Sequence, residues 1–338
     1  MASNENPLGP PEQSLAAIRG ILSGLAQYPD GAAFDLKRGL AAHLGIATDR
    51  LTIGNGSNEI LSIIAETFLS PECEAVFSQY AFVVYGLAVQ AAGAKARIAP
   101  ANPAGNIQPL GHGLDEFKAL ISNRTRIVFI ANPNNPTGTW LPPTQLLNFI
   151  ADLPKHVLVV VDEAYLEYMP ADARPDALSW LDRFPNLVIC RTFSKIYGLA
   201  GLRIGYAVSH PDVAELLNRV RQPFNVNGLA QAAALAALDA HDHVARSADL
   251  NARGLARLQA GLTEFGWTTG PSAGNFVLAD TSGPAGPWYE GLLQCGVIVR
   301  PVASYGLPRH LRITVGLPAQ NDRLLQSLNQ LRERGVGR

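Results

Sequence analysis

Residues 186–206 read NLVICRTFSKIYGLAGLRIGY. The apolar run Leu187 to Cys190 leads into a glycine-rich turn, and a second apolar stretch follows it from Ile204. Apolar residues in unbroken succession mark a strand covered on both faces, as in a sheet flanked by helices. Lys195 stands in the turn beside Thr192, Ser194 and Tyr197, with Arg203 eight residues on. Lysines in loops are ordinarily solvated, because they are rarely buried unless paired. The end of a covered strand is an unusual place for one, and it raises the alternative that the amine does chemistry.

Similar runs recur upstream: AVF (75–77), RIVFIAN (126–132) and HVLVVVDEA (156–164), and LRIGYAV (202–208) closes the series. Helical stretches lie between them. SNEILSIIAETFL (57–69) carries Ile60, Leu61, Ile64 and Phe68 on one stripe, and PTQLLNFIADL (143–153) and PDVAELLNRVRQ (211–222) are two more. This alternation predicts an α/β unit with a mostly parallel central sheet. Past Pro223 the texture changes to an Ala/Leu/Arg-rich helical region (229–266). Short strands follow at 275–280, 296–302 and 310–316, and then a terminal helix. The expected division is a large α/β domain over 28–225 and a smaller α+β domain over 226–338, completed by the N-terminal segment 1–27.

At 338 residues the chain is long for a single core, which agrees with that division. A net charge of −1 argues against a nucleic-acid or anionic-lipid surface, which needs a clustered basic excess. The three cysteines lie far apart without metal-ligand spacing, so no metal site is expected and they read as reduced thiols. No export signal opens the sequence, and no apolar stretch approaches the ~20 residues needed to cross a bilayer. A cytoplasmic globular protein is expected.

In open α/β sheets ligands sit where loops leave the carboxyl ends of strands, and three polar clusters fall at such places. Asp162 ends the run HVLVVVD with Tyr165 three residues later; the Asp either caps a turn or offers a carboxylate to a cationic ring nitrogen. FIANPNNPTGTW (129–140) is a stiff turn by its Asn-Pro and Pro-Thr-Gly steps, and Asn135 can offer its amide to a ligand oxygen. LTIGNGSNEILSII (51–64) runs a glycine-flanked loop into a helix at Ser57, which is either a plain N-cap or the start of a phosphate site. An amine, a carboxylate, a tyrosine, an amide and a phosphate cradle are together what pyridoxal 5′-phosphate requires. Lys37, Lys95, Lys118 and Lys155 occupy no comparable turn.

The segments ANPNNPTG (131–138), VVDEAY (160–165) and RTFSKIYGLAGLRIGY (191–206), in this order and spacing, resemble the fold-type-I pyridoxal-phosphate aminotransferases, and specifically the histidinol-phosphate aminotransferase family. ASNENPLGP (2–10), YPDG (28–31), GNGSNE (54–59) and HLRITVGLP (310–318) belong to the same pattern, so the resemblance runs from about residue 2 to about 330.

That resemblance implies a role for each position. Lys195 would bind the cofactor's aldehyde and shuttle the substrate proton. Asp162 would pair with the pyridinium nitrogen, and Asn135 and Tyr165 would bond the phenolate oxygen. Tyr80 would stack on the ring, with Tyr85 a rival and a core aromatic the alternative. Ser57, Asn58, Thr192, Ser194 and Arg203 would hold the phosphate, and Tyr28 would reach it from a neighbouring subunit, which implies a homodimer with shared sites. Arg312 would clamp the substrate carboxylate. In HLRITVG it alternates with Leu311 and Ile313 and so faces away from the apolar side of its strand, and its guanidinium has the bidentate geometry a carboxylate needs. Arg300 resembles the family's arginine for a distal phosphate.

The implied reaction is transamination of imidazole acetol phosphate by glutamate to give histidinol phosphate. Aromatic amino-acid transamination, decarboxylation of phosphorylated threonine and a non-catalytic regulatory module are the alternatives. The pattern departs from the family in one respect: SNENP begins at residue 3, where the family usually carries some twenty or more residues before it, an arm expected to cross to the partner and close the substrate pocket.

Overall fold

The structure, a computed structural model, describes residues 1–337. Its main sheet holds seven strands: β1 (Leu51–Gly54), β2 (Glu74–Ser78), β3 (Lys95–Ala99), β4 (Thr125–Ala131), β5 (Leu158–Asp162), β6 (Leu187–Thr192) and β7 (Gly205–Ser209). They lie in the order β1-β7-β6-β5-β4-β2-β3. Every pairing from β3 across to β6 is parallel, and β7 runs antiparallel to both of its neighbours. All strands but β7 therefore end on one edge.

The helices around it are α1 (Glu12–Ile21), α2 (Phe34–Leu44), α3 (Ser57–Phe68), α4 (Val83–Ala91), α5 (Leu114–Leu120), α6 (Pro143–Asp152), α7 (Pro211–Val220) and α8 (Gly228–Ala237). Side chains alternate across a strand, and the two cores divide by that parity. Phe129, Val160, Val188 and Ala207 pack with Ile60, Leu61 and Ile64 of α3 and Val89 of α4. Val128, Val161, Ile189 and Val208 pack on the other face with Leu146 and Phe149 of α6 and Leu40 of α2.

The smaller sheet is antiparallel, in the order β10-β11-β9-β8, from β8 (Thr268–Thr269), β9 (Phe276–Asp280), β10 (Arg300–Pro301) and β11 (His310–Thr314). It is covered by α9 (His241–Phe265), α10 (Gly286–Gln294) and α11 (Pro318–Glu333). Trp267 and Trp288 meet edge to face at 5.3 Å, and Phe265 closes the cluster against both.

The division at 226 shifts in the structure. Ala230, Ala233, Ala234 and Ala237 of α8 are buried in the core of the large sheet, so the smaller unit begins with α9. The Ala/Leu-rich texture is continuous across both helices, but the small alanines let α8 pack closely beside α1, where Ser14 Oγ donates to the Ala233 carbonyl at 2.8 Å. The segment 1–27 is likewise shared. Thr314 N–H donates to Met1 O at 3.0 Å and so ties the chain start to the small sheet, while α1 sits on α8. Strand pairing over 296–302 is confined to Arg300–Pro301. The edge strand β3 escapes sequence reading because most of it is exposed and carries no long apolar run.

Leu61 is fully buried between α3 and the sheet. Its replacement by alanine is expected to lower unfolding free energy by about 2–5 kcal/mol, read as a shifted midpoint at unchanged slope in denaturant titration.

Candidate active site

The carboxyl ends of the parallel strands enclose a cavity of about 150 Å³. Strand parity aims its floor: Leu158, Val160 and Asp162 project to the α3/α4 face, as do Val188, Cys190 and Thr192. Asp162 sits in register with Ala131 on β4 and Cys190 on β6, at the tip of the central strand.

Asp162 is 4% exposed. Tyr85 Oη donates to its Oδ2 at 3.0 Å, and the Ala164 N–H donates to Oδ1 at 3.2 Å. Burial pushes its pKa up to about 6, opposed by those two hydrogen bonds and by the Lys195 ammonium. At neutral pH the carboxylate is mostly ionised, an anion held at the bottom of a cavity.

Lys195 reaches the same cavity from the turn after β6. Its Nζ lies 5.5 Å from the centroid of the Tyr165 ring and donates to Ser3 O at 3.2 Å. Tyr165 in turn has its hydroxyl fixed by Asn4 Nδ2 at 2.9 Å. Gly198, at φ +66, packs so closely on the Gly9 backbone that a side chain there has no room, which pins the lysine turn under the N-terminal segment.

At the other end, α3 begins at Ser57 with no side-chain cap, leaving its first N–H groups unclaimed by a cap. Gly56 and Gly205 form the cradle. A Cβ on Gly56 would run into the Arg203 guanidinium, and one on Gly205 would come within 2.6 Å of the Ser57 nitrogen. Arg203 Nη1 donates to Ser194 Oγ at 3.2 Å, and Thr192 Oγ1 accepts from the Ser194 N–H at 3.1 Å. A helix N-terminus, a guanidinium and hydroxyls around one point suit a phosphate dianion. An anionic group at the opposite end suits a cationic ring nitrogen, and the amine between them suits an aldehyde. The cavity fits pyridoxal 5′-phosphate.

Lys195, Asp162, Tyr165, Asn135, Ser57, Asn58, Thr192, Ser194 and Arg203 all line this cavity. Tyr80 does not appear in its wall. Its ring packs with Leu278, Val302 and Leu307 of the smaller unit, and Phe82, two residues on, supplies the aromatic face. Tyr85 is no ring-stacker either: it is fully buried behind the wall. Tyr28 is 83% exposed and stacks on Phe224 at 4.9 Å, outside the cavity of its own chain.

Arg312 is 7% exposed, and its Nη1 donates to Asn135 Oδ1 at 2.6 Å. Its Nη2 donates to Ala2 O at 2.7 Å, and Arg300 Nε reaches the same carbonyl at 3.3 Å. The Ala2 oxygen stands in for the kind of acceptor two converging guanidiniums recognise, a carboxylate or phosphate oxygen. Asn4, Phe82 and Tyr85 are contributors that residue patterns did not single out for the roles they have. Asn4 sits within the quoted SNENP segment, but its bonds to Tyr165 and Thr314 join positions far apart in the chain.

The family model described as aminotransferase class I and II matches residues 1–328. The histidinol-phosphate aminotransferase 2 of Pseudomonas fluorescens is 52% identical over 335 residues, covering 99% of this chain and 89% of that protein. That of Pseudomonas aeruginosa is 53% identical over 331 residues, covering 98% and 88%. Among solved structures, the histidinol-phosphate aminotransferase of Sinorhizobium meliloti in complex with pyridoxal-5′-phosphate superposes with a TM-score of 0.91 at 31% identity, covering 98% of this chain and 90% of that one. The L-threonine-O-3-phosphate decarboxylase of Porphyromonas gingivalis, at 23% identity and a TM-score of 0.85, shares the fold.

Two outcomes are expected of this site. Gly205→Ala forces backbone against backbone at the phosphate cradle, and the ligand-free protein should lose about tenfold or more in pyridoxal phosphate affinity by fluorescence titration, with its melting temperature lowered less than by a core truncation. Asp162, whose folded pKa is raised, favours the fold below its unfolded value near 4. That contribution is lost as pH rises through about 6. The ligand-free protein should therefore lose about 3 kcal/mol of stability across that window relative to Asp162→Asn, while its cofactor affinity should fall in the opposite direction, below pH ~6, as the carboxylate takes up a proton.

Proposed function

Since the chain belongs to the class I and II aminotransferases, we propose that it is a pyridoxal-phosphate-dependent histidinol-phosphate aminotransferase, moving an amino group from glutamate to imidazole acetol phosphate. One observation carries the reading: Lys195, Asp162 and Arg203 line a single cavity, an amine, a carboxylate and a guanidinium suited to an aldehyde, a ring nitrogen and a phosphate. The names of relatives that are about half identical support the substrate.

When bound, the cofactor supplies an electron sink for the charge left on Cα once its proton departs. The protein's residues do the rest. Ser57, Asn58, Thr192, Ser194 and Arg203 hold the phosphate, and Asp162 holds the proton on the ring nitrogen. Asn135 and Tyr165 would bond the phenolate oxygen, and Phe82 offers an aromatic wall for the ring. Lys195 would hold the aldehyde covalently and, as a free amine, would serve as the base that moves the Cα proton. Arg312 and Arg300 take the carboxylate of glutamate and the phosphate of the other substrate, the Ala2 carbonyl giving way to the incoming oxygen. Burial lowers the pKa of Arg312 from its ordinary value, opposed by the phenols of Tyr165 and Tyr305; the group remains a cation.

The enzyme acts as a homodimer in this reading. Tyr28, Leu25 and Phe34, within ten residues of each other in the chain, are 83%, 62% and 59% exposed, apolar surface that suits a second copy. From there Tyr28 of one protomer reaches the phosphate of its partner. The three cysteines are free thiols, in keeping with the cytoplasm. No helix among the described residues is long and apolar enough to cross a membrane.

Rapid-mixing absorbance spectra of the reconstituted protein test the assignment. Histidinol phosphate should discharge the yellow band within the dead time or shortly after, and phenylalanine slowly or not at all. Discharge by phenylalanine alone would move the protein to aromatic transamination, and carbon dioxide release from phosphothreonine would move it to decarboxylation. Lys195→Ala should stay folded, lose the borohydride-fixed adduct by mass spectrometry, and lose turnover by about 10²–10⁴-fold or more.

A further inference from the structure

Tyr85 makes a contact that no role described so far accounts for. It projects from α4 toward the large sheet, is fully buried, and donates its phenolic hydrogen to Asp162 Oδ2 at 3.0 Å. The ring has no freedom to leave. It stacks on Phe129 at 4.9 Å and 7°, and meets Phe82 edge-on at 6.0 Å and 88° and Phe77 at 6.3 Å and 64°. Phe82 is the wall of the cavity and Asp162 is its floor. One side chain therefore braces both surfaces that a bound ring would touch.

We propose that Tyr85 is a positioning residue: by donating to Oδ2 from a fixed ring, it orients the Asp162 carboxylate and sets how strongly that carboxylate pulls on the proton it shares with the cofactor's ring nitrogen. This rests on the pyridoxal-phosphate reading above. The two carboxylate oxygens each receive one protein donor, Tyr85 on Oδ2 and the Ala164 N–H on Oδ1. Each keeps a further lone-pair direction, and two donors on opposite oxygens hold the carboxylate plane in place at the cavity floor. A hydrogen bond to a carboxylate favours its charged form, so the donor makes Asp162 a weaker base than burial alone would. A more basic Asp162 would draw the proton from the ring nitrogen onto itself, leaving a neutral ring that accepts electrons poorly. Tyr85 remains a donor throughout, because burial and the adjacent carboxylate push its own ionisation well above the ordinary phenol range. The other titratable groups facing this carboxylate are Lys195 from the turn after β6 and Cys190 from β6, whose thiol burial keeps neutral; Glu163, the next residue along, couples to Asp162 but turns to Arg191.

The test compares wild type, Tyr85→Phe and Tyr85→His. Phe keeps the ring and its stacking without the donor, and His keeps a ring with an N–H donor. In ligand-free protein carrying ¹³C-carboxyl aspartate, with the signal assigned by Asp162→Asn, the Asp162 midpoint should rise at least about one unit in Tyr85→Phe, a tenfold gain in proton affinity. It should return at least partway in Tyr85→His. With cofactor labelled at the pyridine ¹⁵N, the Phe variant should shift toward the unprotonated ring signal, with kcat lowered about tenfold and KM little changed. In an Asp162→Asn background Tyr85→Phe should leave that signal unmoved. An unchanged Asp162 midpoint and ¹⁵N signal in Tyr85→Phe overturns the proposal. So does an equal shift in the Phe and His variants accompanied by equal loss of melting temperature, which would mark Tyr85 as packing only. The ligand-free titration is independent of the cofactor: a wild-type protein that fails to bind pyridoxal phosphate overturns the functional reading, and the Asp162 midpoints still decide what Tyr85 does.

Discussion

Burying a carboxylate at the tip of β5 is the costly act around which this structure is arranged. A charge taken out of water is penalised unless it is paired or hydrogen-bonded, and Asp162 is 4% exposed. The protein offsets that penalty with a phenol from α4, a backbone N–H from the turn that follows and an ammonium from the turn after β6. Each of these arrives from a different element. The seating of α4 on the sheet, the geometry of the Asp162–Tyr165 turn and the placement of Lys195 are thus all tied to one side chain. Under the proposed function a cationic ring nitrogen bound beside Asp162 would add to that compensation.

The parallel sheet makes such an arrangement accessible. Strands running the same way deliver their carboxyl ends, and the loops beyond them, to one edge. Alternation then sorts the residues: those in step with Val160 and Val188 face α3 and α4 with the site, while Glu163 and Arg191, out of step, form a buried pair at 2.8 Å on the opposite face. Two charged clusters lie within a residue of each other in sequence and are separated by the thickness of the sheet. The antiparallel β7 brings Gly205 beside the start of α3, and the missing side chains of Gly205 and Gly56 leave room for the helix N-terminus and for the Arg203 guanidinium respectively.

The smaller unit contributes through only a few residues. Arg312 and Arg300 sit directly opposite each other in the antiparallel β10–β11 pair, so both guanidiniums project on one side and converge on the Ala2 carbonyl. Arg312 also donates to Asn135 in the turn after β4, which links the two units beside the cavity. The chain start is the third partner, tied to β11 at Thr314, to Tyr165 by Asn4 and to Lys195 by Ser3. Under the proposed function a substrate carboxylate entering there would exchange a backbone oxygen for a charged one, in a place already lined with donors.

Much of this was readable from residue order. The unbroken apolar runs around 127–131, 158–161 and 187–190 specified covered strands, and the polar residues that end them, Asn135, Asp162 and Lys195, had to lie on the ligand edge. The glycines before the start of α3 were legible, but not whether they cradle an anion or only lead into an N-cap. Local pattern could not say which aromatic faces the cavity, because Tyr80, Phe82 and Tyr85 share one short stretch and differ only in how the start of α4 is turned on the sheet. That turn is set by packing against Phe77 and Phe129, from strands distant in the chain. Nor could it divide α8 from α9, since both have the same composition and only the close approach of α1 selects the first for the large core. The sequence by itself determined which faces are buried and which chemical groups are present, through local periodicity and residue type. Only the tertiary structure decided which groups meet, because depth and direction are set by contacts between segments that no local pattern encodes.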